Sequence, residues 1–311
     1  DYSPIRFCSD CLSGERLSLC VFDAYCVCCS TCELRRRFSF GDNEDIVQQM
    51  KMEDRKQREV EFYDEKAGES RVRLRSFGRE NDFEGFQPLL LSSYQFWYHL
   101  IESHCKGKRV LDYGCGNGVH SVFPALHGAK VIGIDLSEGS LEIAKERVKE
   151  KGVEDNVSFE TMDCEKMTFP DNSFDVLIDG GTFSSLDLKT TFSELARVLK
   201  PNGSPLGIET LGHNPLTNFH RLINKKRGKR TAWATRHIFQ LEDLHLAGTY
   251  FTDVQAHFFH LFSWLAFPIL GKPGGELLLR FLQTLESPLA RVPFFNRYCF
   301  KIVFLFRYPK K

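Results

Sequence analysis

The sequence predicts an α/β protein built on a doubly wound, mostly parallel sheet. Three observations predict it. Short apolar runs alternate with helix-period stretches from Arg109 to Glu209, and a glycine-rich turn directly follows the first run. The chain, at 311 residues and 42% hydrophobic, is also long enough to cover both faces of such a sheet. Its charge points to no macromolecular partner: lysine plus arginine equals aspartate plus glutamate at 41 each, which argues against a nucleic-acid binder.

Residues 1–49 are set apart by their cysteines, since seven of the eleven lie between Cys8 and Cys32. Cys8, Cys11, Cys29 and Cys32 have a spacing that can wrap zinc tetrahedrally. Cys20, Cys26 and Cys28 crowd the same segment, however, and "MKMEDRKQ" from Met50 reads as a protein start. The segment is therefore expected to be a poorly ordered extension or translated upstream sequence, and no metal is expected. Residues 50–105 read as helical: a charged stretch with Tyr63 in "FYDEKAG", then an amphipathic one with Leu90, Tyr94, Trp97 and Ile101 on one face.

The core domain is expected from 106 to 311. Its strands are "RVLDY", "KVIGID", "VSFET", "FDVLID" and "PLGIE". Ser137 is placed to cap the helix after the second strand and Gly152 to stop it. Leu188, Phe192, Leu195 and Leu199 mark the helix before the fifth strand, which Pro201 and Gly203 are expected to end. "FTDVQAHFF" and "YCFKIVFLFR" supply two more strands, for seven in all. The intervening insertion, about 258–296, has helical spacing, and its position suits either a lid over an apolar acceptor pocket or helices that simply pack on the sheet. Its longest apolar run, Phe258–Leu270, falls short of the roughly 20 residues of a membrane span, though contact with a membrane surface fits its composition. No secretory pattern is visible at residue 1, so the expected compartment is cytoplasmic.

The turn after the first strand runs D-x-G-x-G-x-G through Asp112, Gly114, Gly116 and Gly118, with Val119 where a dinucleotide fingerprint would carry its last glycine. A carboxylate before the loop repels a pyrophosphate but suits a cationic ligand with an ammonium and a sulfonium, such as S-adenosylmethionine. "VLDYGCGNG", "VIGIDLS", "MDCEKMTFPDNSFDVLID" and "FSELARVLKPNGSPLGIE" then follow in order. Together they resemble the class I S-adenosylmethionine-dependent methyltransferases of the small-molecule, type 11 kind.

That resemblance implies a Rossmann-like methyltransferase fold and a set of cofactor-binding residues. Asp112 would orient the amino group, with Gly114, Cys115, Gly116, Asn117 and Gly118 forming the cradle. Asp135 would accept the ribose hydroxyls beside Leu136, and Asp163 and Cys164 would flank the adenine. Asp179 and Gly180 would pass close to the cofactor, Phe183 would touch the acceptor, and Tyr63 would close over the site. The acceptor expected is a small, apolar or lipid-like molecule. If it needs deprotonation, Glu209, His213 and His220 follow the fifth strand on the rim that faces the methyl group, His213 being the first choice. The loop after the fourth strand lacks the Asn/Asp-Pro-Pro-aromatic motif of DNA-base methylating relatives. The readings set against this are a nicotinamide oxidoreductase, which the glycine spacing disfavours, and a binding or scaffold protein that keeps the fold without turnover.

Overall fold

The computed structural model describes residues 52–68, 90–226, 231–270 and 272–311. The chain divides at Glu53/Asp54, and the cysteine-rich segment, with its zinc spacing, lies outside the described residues. The sheet and the helices that cover it belong to the second unit, Asp54–Lys311.

A helix over 52–68 (α1) opens the described chain. The strands are β1 (Arg109–Tyr113), β2 (Lys130–Asp135), β3 (Val157–Thr161), β4 (Phe174–Asp179), β5 (Leu199–Thr210), β6 (Phe251–Phe259) and β7 (Lys301–Pro309). They form one sheet in the order β3-β2-β1-β4-β5-β7-β6, with β7 antiparallel to both neighbours and the other pairings parallel. The seven-stranded, doubly wound architecture is thus as expected. Chain order reverses between β1 and β4, and in such sheets the crevice beyond the strand ends at that reversal receives ligands.

The helices are α2 (Ser92–Cys105), α3 (Val119–Leu126), α4 (Glu138–Glu150), α5 (Leu188–Val198), α6 (Pro215–Lys226), α7 (Ala232–Arg236), α8 (Leu241–Tyr250), α9 (Gly275–Glu286) and α10 (Pro293–Asn296). Strand side chains alternate between the two faces. Val110, Val131, Val176 and Ile178 therefore meet Trp97, Ile101, Val122 and Val148 in one core, while Leu111, Tyr113 and Leu177 meet Phe192, Leu195, Phe251 and Phe304 in the other. Ser137 caps α4 by accepting from Ser140 N, and Gly152, at φ +65°, follows it.

Two expectations need correction. Pro201 and Gly203 do not end α5, which stops at Val198; they lie within β5. The β4/β5 register shifts between Phe174 and Val176, and an irregularity of that kind accommodates proline and glycine inside a strand. Nor does the insertion form a lid over the crevice. Its inward face, Ala266 and Leu279, docks on Leu91 at the start of α2. A buried polar chain fastens it there: Ser93 Oγ and His260 Nε2 are 2.9 Å apart, His260 Nδ1 and Ser263 Oγ 2.8 Å, and Ser263 Oγ donates to Glu286 Oε1 at 2.6 Å.

Candidate functional site

Beyond the ends of β1, β2 and β4 lies a cavity of about 240 Å³, roofed by α1. Gly114, Gly116, Asp135, Leu136, Asp163, Cys164 and Gly180 line it, as does Tyr63 from α1. Residues expected from three of the quoted motifs, from the loop after β4 and from the α1 lid are therefore brought together.

The glycines serve different ends. Gly114, at φ +62°, is crowded: a Cβ there would run into Thr182, whose Oγ1 donates to the carbonyls of Tyr113 and Gly114. Gly116, at φ +50°, has nothing within 4 Å of where a Cβ would stand, so its bare main chain lies open to a ligand. Gly116 N donates to Asp135 Oδ2 at 2.8 Å, and Ser137 N donates to Oδ1 at 2.9 Å. The Asp135 carboxylate thus fixes the glycine turn while keeping unused lone pairs at the cavity wall. Burial raises its pKa, and hydrogen bonds from Ser137, Gly116 and Leu136 offset part of that rise.

Asp163 is held from both sides, accepting Glu165 N on Oδ1 and Lys56 Nζ on Oδ2 at 2.5 Å. Lys56 also reaches Glu165 Oε2 at 3.0 Å. Burial pulls its pKa down, but the two carboxylates outweigh this and raise it. Farther along α1, Asp64 Oδ1 accepts Ser137 Oγ and Gly139 N. The helix is thereby tied to the loops after both β2 and β3.

The remaining expected residues do not line the cavity. Asp112 shares its strand face with Val110, so the pleat turns it toward α3, where it accepts Ser121 Oγ at 2.5 Å. It is 1% exposed, and burial pushes its pKa up to about 7 against the pull of the Ser121 hydrogen bond. Cys115 is buried beneath the turn. Asn117 offers its carbonyl to Arg147 Nε, and Gly118, at φ +71°, lets the turn pass against Ala144 of α4. Asp179 orders the loop after β4 by accepting Gly181 N and Thr182 N on Oδ1; burial, then the neighbouring Glu209, hold its pKa well above the usual range.

Two of the three residues expected to be catalytic are engaged in local hydrogen bonds. Glu209 is buried, and its two oxygens accept Phe183 N at 2.7 Å and Thr210 N at 3.1 Å. His213 Nε2 accepts Leu241 N at 3.0 Å, so its ring fixes the entry to α8. His220 belongs to α6, but its side chain lies outside the described residues. Phe183 does not face an acceptor; it is fully buried, stacked on Phe304 at a 5.4 Å centroid distance.

Sequence reasoning missed Arg55, Lys56 and Glu59, which line the cavity from α1. Together with Tyr63, Arg55 and Glu59 recur at helical i, i+4, i+8 spacing, and that stripe was the available signal.

A family model described as a methyltransferase domain matches residues 110–203. The chain is 31% identical over 142 residues to a demethylmenaquinone methyltransferase of Symbiobacterium thermophilum, covering 43% of this chain and 56% of that protein. It is 38% identical over 99 residues to methyltransferase GfsG of Streptomyces halstedii, covering 31% and 36%. The chain thus spans about half or less of the length of these curated relatives. Among solved structures, a geranyl diphosphate C-methyltransferase from Streptomyces coelicolor A3(2) aligns with 69% of this chain and 80% of its own at 15% identity and a TM-score of 0.48.

Proposed function

We propose that this chain, whose residues 110–203 match a methyltransferase-domain model, is a class I S-adenosylmethionine-dependent methyltransferase that transfers a methyl group to a small, largely apolar acceptor. The observation that carries the reading is the pairing of Gly116 with Asp135: an open stretch of main chain bonded to a carboxylate that still has acceptor capacity at the cavity wall. These residues fit the cofactor. Asp135 would hold the ribose hydroxyls, Gly114 and Gly116 would let the main chain approach the methionine end, and Leu136 and Cys164 would enclose the adenine, with Asp163 at its amino group. Tyr63 would cover the nucleoside.

When bound, S-adenosylmethionine supplies an electrophilic methyl carbon on a sulfonium. The chain's part is to align the acceptor and exclude water, which α1 does by closing the cavity through its ties to Asp163, Glu165 and Ser137. Neither Glu209 nor His213 lines the cavity, so neither is proposed as a base; the side chain of the third candidate, His220, lies outside the described residues. Names such as demethylmenaquinone methyltransferase among the relatives support an apolar acceptor. The four cysteines among the described residues, Cys105, Cys115, Cys164 and Cys299, are free and buried, which suits a reducing, cytoplasmic compartment.

Calorimetry tests the reading directly. S-adenosylhomocysteine is expected to bind at micromolar or tighter affinity and NADH not measurably; the reverse result overturns it. Label transferred from methyl-labelled cofactor to a metabolite extract is the second expected result, and its absence favours a scaffold.

Contact with a lipid surface belongs to the same reading. The outward face of α9 carries Leu277, Leu278, Phe281 and Leu285, 74%, 38%, 58% and 49% exposed, with Lys272, Arg280 and Arg291 exposed around it. No helix among the described residues is long and apolar enough to cross a membrane, but an apolar face with a basic fringe fits an anionic bilayer surface. Vesicles of phosphatidylglycerol and phosphatidylcholine are expected to sediment the protein, and Leu277→Glu with Phe281→Glu to release it. Equal sedimentation of the variant would remove lipid contact from the proposal.

A further inference from the structure

Six buried side-chain polar atoms lack a hydrogen-bond partner among the described residues, and four of them sit on Arg55, Glu59 and Trp233. They are Arg55 Nε and Nη1, Glu59 Oε2 and Trp233 Nε1. Arg55 and Glu59 are 6% and 8% exposed, and both line the cavity beside Gly180, Gly181, Ser185 and Leu186. A buried donor or acceptor without a partner costs stability, and native chains leave few of them. A concentration on one wall of a cavity marks groups kept ready for a ligand.

The two side chains are held apart from one another rather than spent on each other. Arg55 Nη2 donates to Glu165 Oε1 at 2.6 Å, and its guanidinium lies over the Trp233 ring at 4.7 Å. Those contacts fix the plane of the group and leave Nε–H and Nη1–H over. Glu59 engages the hydroxyls of Thr231 and Ser185, which leaves Oε2 over. Burial also raises the Glu59 pKa, an effect that these hydroxyls and the Arg55 charge only partly oppose. The wall thus presents two fixed donors and one acceptor.

We propose that Arg55 and Glu59 form the acceptor subsite and select a hydroxylated aryl or acyl compound. Its carbonyl or carboxylate oxygen is held by Arg55 Nε and Nη1, and a hydroxyl elsewhere on the molecule donates to Glu59 Oε2. This rests on the methyl-transfer reading and deepens it, because it names the polar pattern that an otherwise apolar acceptor must carry. An acceptor lacking the hydroxyl would leave Glu59 Oε2 buried and unpaired, which is the basis of its rejection.

The test uses 3-hydroxybenzoate, benzoate and phenol as probes of the full-length chain, by calorimetry, with and without saturating S-adenosylhomocysteine. In the wild-type protein 3-hydroxybenzoate is expected to bind at least about 10-fold more tightly than either singly functional probe. Glu59→Leu should erase the preference over benzoate, and Arg55→Met the preference over phenol. Glu59→Gln and Arg55→Lys, closer in shape, should weaken the same preferences in part. In the two Glu59 variants S-adenosylhomocysteine affinity should stay within about 3-fold of wild type; the Arg55 variants also lose the tie to Glu165 and are read only by the probe preference. Equal binding of the three probes, or discrimination that survives Glu59→Leu, overturns the proposal. So does a Glu59 variant that folds but loses S-adenosylhomocysteine, since the cluster would then serve the nucleoside. Discrimination without any S-adenosylhomocysteine binding supports the subsite and overturns only the methyl-transfer reading.

Discussion

Replacing Asp135 by alanine is expected to weaken S-adenosylhomocysteine binding about 100-fold, equivalent to about 3 kcal/mol. Two effects add. The spare lone pairs proposed to take the ribose hydroxyls disappear, and charge-assisted hydrogen bonds of this type are the stronger kind. Gly116 N and Ser137 N also lose their acceptors at 2.8 and 2.9 Å, so the turn proposed to meet the methionine end is released. Asp135→Asn, which keeps one carbonyl oxygen, should lose less. Calorimetry on both variants, with melting temperatures to verify folding, checks the order; an alanine variant that binds within about 3-fold of wild type would mean that the ribose does not lie at the end of β2.

Asp112→Asn is expected to raise stability by a few kcal/mol at pH 8 and to leave it nearly unchanged at pH 4. The Asp112 carboxyl titrates near 3.8 when unfolded and at about 7 in the folded protein. Between those values the folded state keeps a proton that the unfolded state has released, so this group's contribution falls as pH rises through the window and is flat above it. The width of that window corresponds to at most about 4 kcal/mol. Burial is the main cause, and the hydrogen bond from Ser121 works against it. Urea titrations of both proteins at pH 4, 6 and 8 check the sign: a difference that shrinks toward pH 8 would mean that Asp112 is stably ionised where it stands.

Much of the fold was legible because parallel strands buried on both faces read as unbroken apolar runs between glycines, prolines and capping residues. β1, β2, β3, β4 and β6 coincide with the runs quoted from the sequence. β5 was harder, since a proline and a glycine in a strand look like a helix stop until the β4 register is known. In the site, Gly114, Gly116, Asp135 and Asp163 could be found because each ends or follows a strand. The parity of Asp112 with Val110 was readable too, and would have turned it toward α3 in advance. What sequence hid was the content of α1. Arg, Lys and Glu at helical spacing look like a solvated surface, and the partner that buries Arg55 is 110 residues away. His213 was obscured in the same manner, because nothing local marks the Leu241 amide that claims its ring.

The fastening of α1 has a consequence for traffic through the cavity. Arg55 on Glu165, Lys56 on Asp163 and Asp64 against Ser137 work as a latch made of charges and hydrogen bonds rather than of apolar packing. The Lys56 pairing is about a quarter exposed and therefore open to competing ions, whereas the Arg55 pairing is shielded from them. The latch thus has an outer catch that parts readily and an inner one that parts rarely. The tempo of entry and departure, more than the strength of grip, follows the rarer of the two.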